Sequence, residues 1–188
     1  MKLGIAGGIG SGKSYVSQKI REYGYEVYDC DEAAKRLIST SPDIRQQFIS
    51  LIGPDAYTAD GQLNKPVVTN FLLASKANGK AINDIVHPAV FRDFEESGLQ
   101  FMESAIMFES GIYKLVDRVL AVVAPKEVRI QRVMARDGIS REKVLDWMER
   151  QISQKELIQK SDFVIVNDGQ TEIDKQLKKI IVQCNKRF

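Results

Sequence analysis

At 188 residues, 44% of them hydrophobic, the chain is long enough for one packed domain, and a formal charge of +2 is too weak to argue for nucleic-acid binding. Cys30 and Cys184 are too few and too far apart for a disulfide framework or a zinc cluster, and such free thiols are ordinarily buried. No apolar run is long enough to span a bilayer, and Lys2-Leu3-Gly4-Ile5-Ala6 reads as a strand with no signal peptide before it; a cytoplasmic location is expected.

Leu3 to Ala6 is a short apolar run closed by glycines and predicts a first strand. Ser14 to Tyr23 follows with helical spacing at Val16, Ile20 and Tyr23, Gly24 ends it, and Glu26-Val27-Tyr28 reads as a second strand. Such a strand–loop–helix–strand opening predicts a parallel α/β sheet. From Glu32 to Leu99 apolar residues recur at helical intervals (Ala33, Leu37; Ile44, Phe48, Leu51; Val67, Phe71; Ile82, Ile85), with breaks at Gly53-Pro54, Asp60-Gly61 and His87-Pro88. This predicts a helical insertion over 32–100.

Further strands are expected at Ser104 to Phe108, Arg118 to Val123 and Phe163 to Val166, making five in all. A polar helical stretch from Pro125 to Lys160, broken at Asp137-Gly138, separates the last two. Thr171 reads as the N-cap of a closing helix with core face Ile173, Leu177, Ile180, Ile181 and Cys184. The expected organisation is a core of 1–31, 101–125 and 161–188, the insertion, and a third region over 126–160. No internal repeat or low-complexity segment interrupts it.

Gly7-Gly8-Ile9-Gly10-Ser11-Gly12-Lys13-Ser14 matches the phosphate-loop pattern G-x-x-x-x-G-K-[ST] in full. Glycines let the backbone turn through positive φ and present N–H groups to phosphate, and the next helix adds its positive end. Lys13 is expected to reach the β- and γ-phosphates and the Ser14 hydroxyl to ligate Mg²⁺. A chance match in a chain of this length is on the order of one in a hundred. ATP is therefore expected along Gly8, Ile9, Gly10, Ser11, Gly12, Lys13, Ser14 and Tyr15. A phosphate loop alone does not separate kinases from GTPases or nucleic-acid motors.

The second strand runs into Asp29-Cys30-Asp31. At the carboxyl end of a parallel strand such a carboxylate can accept the proton of a hydroxyl acceptor; equally, either Asp can cap the helix that follows. Arg132 and Arg136 lie four apart on one helical face in a stretch that also holds Arg129, Arg141, Lys143 and Arg150. They read either as phosphate-clamping arginines or as a solvated face pairing with Glu127 or Glu142.

The phosphate loop, followed by Asp29-Cys30-Asp31-Glu32-Ala33-Ala34-Lys35-Arg36, resembles the opening of dephospho-CoA kinases. The likeness continues through Asp60-Gly61-Gln62-Leu63, His87-Pro88, Phe108-Glu109, Arg132 to Arg136, Gln151 and Ser161-Asp162-Phe163-Val164-Ile165-Val166-Asn167. It implies a three-layer P-loop kinase fold with a five-stranded parallel sheet, a helical substrate-binding insertion and an Arg-bearing lid over 126–160. It also implies transfer from ATP to the ribose 3′-hydroxyl of dephospho-CoA, with Asp31, Lys13 and Arg136 catalytic. By the same resemblance Arg132, Arg136 and Asn167 bind ATP, and Asp31, Leu63, His87, Phe108 and Glu109 contact the acceptor.

Four stretches depart from the family pattern. Ala6 stands where Thr is usual before the loop, Ala105-Ile106-Met107-Phe108-Glu109 stands for Pro-Leu-Leu-Phe-Glu, Glu103 for an Asp, and Asn64-Lys65 where an Arg is frequent. The alternative is another small-metabolite or nucleoside monophosphate kinase. A GTPase would need Asn-Lys-x-Asp, which does not occur. ATP, Mg²⁺ and dephospho-CoA are the expected partners, without nucleic acid or membrane, and the chain is expected to be a monomer.

Overall fold

The structure, a computed structural model, describes residues 1–185. The last three positions of the 161–188 segment lie outside the described residues. Two compact units are present, Met1–Asp29 with the chain from Gly98 onward, and Cys30–Ser97.

The first unit is a five-stranded parallel sheet between helices. Its strands are β1 (Leu3–Ala6), β2 (Val27–Asp29), β3 (Phe101–Ser104), β4 (Arg118–Val123) and β5 (Phe163–Val166), in the order β2-β3-β1-β4-β5. β1 is central and fully buried, as strands covered on both faces must be. Leu3 and Ile5 pack with Val16 and Ile20 of α1 (Lys13–Glu22) and with Leu177 and Ile181 of α9 (Ile173–Asn185). On the opposite face Gly4 lies against Met107, whose methyl would be 2.8 Å from a Cβ at Gly4. The chain goes from β1 out to β2, returns to β3, then crosses to β4. The loop after β1 therefore leaves the sheet where the strand order reverses, the place where such sheets form a ligand crevice.

β3 begins and ends earlier than the apolar run Ala105 to Phe108 suggests. Phe101, Met102, Glu103 and Ser104 pair with β1 and β2, while the chain turns at Ala105. The Ser104 hydroxyl accepts from the Ile106 N–H at 3.3 Å and Ser110 N–H donates to the Ile106 carbonyl at 2.9 Å. The apolarity of that run reflects packing of Met107 in the core, not a strand. Phe108 and Glu109 consequently lie in the turn beyond β3, not at its end.

Residues 126–160 form three helices, α6 (Lys126–Asp137), α7 (Arg141–Glu149) and α8 (Gln154–Lys160). Gly138, at φ 64°, closes α6 at the break read from the sequence. A second break precedes α8, where Ser153 accepts the Glu156 N–H at 3.1 Å as an N-cap. Thr171 is not the cap of α9, which starts two residues later. Its N–H and hydroxyl both donate to the Asp168 carboxylate, at 2.7 Å and 2.9 Å, in an Asx turn. The predicted core face of α9, Ile173, Leu177, Ile180, Ile181 and Cys184, is buried, and Cys30 and Cys184 are buried free thiols. No helix among the described residues is long and apolar enough to cross a membrane.

The second unit is helical, with α2 (Cys30–Thr40), α3 (Pro42–Ile52), α4 (Lys65–Ala74) and α5 (Lys76–Ser97). α5 runs straight through His87-Pro88, where the sequence suggests a break. Ile82, Val86, Val90 and Phe94 recur every four residues and are buried, and this stripe, packed on α2, α3 and α4, outweighs the one backbone bond proline forfeits. His87 is half-buried and stacks on Phe91, one turn away, with ring centroids 6.2 Å apart.

Burial holds the His87 pKa below its ordinary 6.5, with the nearby Asp84 charge pulling weakly the other way. In the window just under that value the unfolded chain binds a proton that the folded chain does not. Stability from His87 is thus complete above pH 6.5 and is lost as pH falls toward the depressed folded value. We expect Tm to fall as pH drops below about 6.5, and His87→Gln to flatten that slope. The same slope in both proteins would assign the acid sensitivity to other groups.

Candidate active site

The loop from Gly7 to Gly12 joins β1 to α1, and its shape depends on glycine at two positions. Gly10 has φ 75° and Gly12 φ 90°, the left-handed region that side chains avoid. A Cβ would also lie 2.5 Å from the Arg129 carbonyl oxygen at Gly10 and 2.0 Å from Asn167 Nδ2 at Gly12. α1 has neither a side-chain cap nor an acidic residue in its first turn, which leaves the positive end of the helix to an anion. Lys13 is its first residue, and its ammonium donates back over the loop to the Gly7 carbonyl at 2.7 Å.

Ser14 Oγ donates to Glu103 Oε1 at 2.9 Å. Glu103 is only 7% exposed, an acidic side chain within a buried strand, and its register partners are Ile5 of β1 and Asp29 of β2. A strand expected from Ser104 leaves Glu103 out, and the sequence marks it only as standing where the family carries Asp; pairing with β1 and β2 is what buries it. A hydroxyl and a carboxylate are hard oxygen donors of the kind Mg²⁺ takes beside phosphate, so these two residues fit that ion.

Arg132 and Asn167 close the other side of the loop. Arg132 Nη1 donates to the Asn167 carbonyl at 3.1 Å, Nη2 donates to Asn167 Oδ1 at 3.3 Å, and Asn167 Nδ2 donates to the Ser11 carbonyl at 3.0 Å. A cleft of about 590 Å³ opens beside them, lined in part by Gly12, Tyr15, Arg132, Asn167, Gly169 and Thr171. That volume lies within the range of small-molecule sites. Tyr15, 51% exposed, offers its ring at the rim.

Arg136 is not in this group. It is 62% exposed and forms a two-bond fork with the adjacent Asp137, whose hydrogen bond raises the Arg136 pKa and lowers its own. Arg141 pairs with Glu127 in the same manner. We therefore expect Arg132→Ala to raise the KM for nucleotide about tenfold, on the scale of a lost charge-assisted contact, and Arg136→Ala to change it less. Steady-state kinetics varying ATP checks this, and a reversed order would make Arg136 the principal contact.

The acceptor-side candidates are distributed over both units. In the first, the Phe108 ring lies 5.3 Å from Tyr113 with the Lys160 ammonium 5.8 Å above it. Glu109 Oε1 accepts the Ile152 N–H at 3.3 Å. In the second, Asp31 is exposed in the first turn of α2, where the helix field favours its negative charge. Leu63 pairs by an isolated bridge with Tyr57, whose ring lies tilted against Phe48 and under Arg45 and whose hydroxyl donates to the Ile38 carbonyl at 2.8 Å. His87 belongs to α5, with Phe91 as its ring neighbour.

Comparison with known proteins decides what this constellation belongs to. The family model described as dephospho-CoA kinase matches residues 1–172. The chain belongs to the dephospho-CoA kinase family. Within that family, a dephospho-CoA kinase from Bacteroides fragilis is 37% identical over 96% of this chain and 91% of its own length. Among solved structures, a Thermus thermophilus protein superposes with TM-score 0.85 at 32% identity, covering 100% of this chain and 98% of its own. The dephospho-CoA kinase of Campylobacter jejuni shares the fold at TM-score 0.67 and 21% identity, with 97% of each chain covered. The five-stranded parallel sheet with its phosphate loop is thus the P-loop kinase fold, and the family is one of ATP-dependent kinases.

Proposed function

We propose that this chain transfers the γ-phosphoryl group of ATP to the ribose 3′-hydroxyl of dephospho-CoA, giving coenzyme A and ADP as the last step of coenzyme A synthesis. The observation that carries the donor half is the phosphate loop, tied through Ser11, Asn167 and Arg132 to the rim of a nucleotide-sized cleft. The acceptor half rests on full-length relatives that bear the dephospho-CoA kinase name.

ATP lies with its phosphates over Gly8 to Ser14 and its base in the cleft beside Tyr15, Arg132 and Asn167. Lys13 neutralises the β- and γ-oxygens. Ser14 and Glu103 would hold Mg²⁺, which supplies further neutralisation of phosphate charge when bound. Asp31 accepts the proton of the acceptor hydroxyl as its oxygen bonds to the γ-phosphorus. The bond from that phosphorus to the β–γ bridging oxygen breaks, and ADP leaves. Residues 32–100, with Leu63 and His87, receive dephospho-CoA, and Phe108 and Glu109 also contact the acceptor. Residues 126–160 act as a lid that excludes water during transfer, with Arg136 reaching the transferred group after it leaves Asp137. The enzyme works in the cytoplasm as a monomer.

Acceptor profiling tests the assignment. ADP formation from MgATP is measured with dephospho-CoA and, separately, with nucleoside monophosphates. Turnover confined to dephospho-CoA supports the proposal, and turnover with a monophosphate alone would move the chain to a different acceptor.

A further inference from the structure

Arg129 is the one buried arginine among the described residues, 9% exposed in the first half of α6. Its neighbours at the surface each hold a carboxylate: Arg136 with Asp137, Arg141 with Glu127, Arg150 with Asp146. Arg129 holds none among the described residues. Burial without a counter-charge pushes its pKa below the ordinary arginine value, yet a guanidinium stays protonated at any physiological pH. A cation withdrawn from water and left unpaired is costly, so its position calls for an anion that the polypeptide does not supply.

The phosphate loop lies directly against it. Arg129 Nε donates to the Ile9 carbonyl at 2.9 Å, and Nη2 would be 2.3 Å from a Cβ at Gly8. Gln151 Oε1 accepts the Ile9 N–H at 2.8 Å. Both backbone groups of one loop residue are therefore held from outside by side chains 120 and 142 positions away. The hydrogen bonds of this brace are neutral-partnered, and the guanidinium charge remains.

We propose that Arg129 is a positioning residue for the triphosphate: it fixes Ile9 from the outer side of the loop, and its unpaired charge is balanced by the phosphates bound on the inner side. This rests on the reading of the loop as the ATP site. It makes Arg129 a permanent element of the phosphate field, distinct from Arg132 at the cleft and Arg136 at the surface. Because the balancing anion arrives with the ligand, the charge weakens the empty protein and strengthens the loaded one. A merely structural arginine would act in one direction only.

Arg129→Gln separates the two parts of the role, since the glutamine amide can still donate to the Ile9 carbonyl but carries no charge. Calorimetric titration with MgATP and with MgADP, and Tm without ligand, are measured for the native protein, Arg129→Gln and Arg129→Lys. Arg129→Gln is expected to weaken MgATP about tenfold, a change of about 1.4 kcal/mol. MgADP should weaken less, and Tm without nucleotide should be equal or higher. Arg129→Lys should retain most of the ATP affinity, and in turnover Arg129→Gln should raise the KM for ATP more than it lowers kcat. If native protein binds MgATP and Arg129→Gln binds it equally well, the inference is overturned while the loop assignment stands. A lowered Tm with parallel loss of ATP and ADP affinity also overturns it, as a packing role. Native protein that binds neither nucleotide overturns the loop assignment and this inference together.

Discussion

Asp31→Asn is expected to lower kcat by about 10²–10⁴-fold, the usual contribution of a positioned acid–base group, with little change in the KM for ATP. Asparagine has nearly the same shape but cannot take a proton, so it removes the chemistry assigned to Asp31 and keeps its volume. The fold should tolerate the change, because Asp31 is exposed in the first turn of α2. Its favourable interaction with the helix N-terminus is lost, about 0.3–1 kcal/mol at an exposed site. Tm should therefore fall by a small amount while turnover collapses. A variant with near-native kcat would remove Asp31 from proton transfer and direct attention to Asp29, the final residue of β2 and the register partner of Glu103.

Lys13→Ala is expected to reduce kcat/KM for ATP by about 10²–10³-fold, comparable with removing one preorganised donor from an anionic transition state. Unlike Asp31→Asn, this change should raise the KM for ATP as well, since Lys13 faces charge present in the bound nucleotide and charge that shifts during transfer. The native side chain donates to the Gly7 carbonyl and begins a helix in which alanine is favoured, so the helix itself should persist. Steady-state kinetics and a thermal melt on the same preparation distinguish the two effects. Loss of activity with loss of fold would show that Lys13 holds the loop together.

Local chemistry made much of this legible from the residues alone. The phosphate loop is contiguous, each of its positions has a backbone or charge requirement, and the apolar run before it can only be a buried strand. The closing helix was equally readable, because five apolar residues at helical spacing leave one face to bury. What escaped depended on contacts distant in sequence. Ala105 to Phe108 has strand-like composition, but β3 is set by pairing with β1 and β2, which moves it to Phe101–Ser104 and brings Glu103 under Ser14. The proline at 88 is a helix breaker in isolation, overruled by the buried stripe from Ile82 to Phe94. Arg132 and Arg136 look equivalent on a helical wheel. Only the fold shows that one meets Asn167 while the other meets its neighbour Asp137. Arg129 and Gln151 could not be connected to Ile9 without three dimensions.

The destination of the phosphoryl group tests the proposed reaction most directly. Native protein is incubated with MgATP and dephospho-CoA, ADP is quantified, and the acceptor is analysed by mass spectrometry and ³¹P NMR. The expected result is one ADP for each acceptor molecule made heavier by one phosphoryl group, with the new phosphate on the ribose 3′-oxygen. ADP formation with dephospho-CoA recovered unchanged, or a phosphate at any other oxygen, would contradict it.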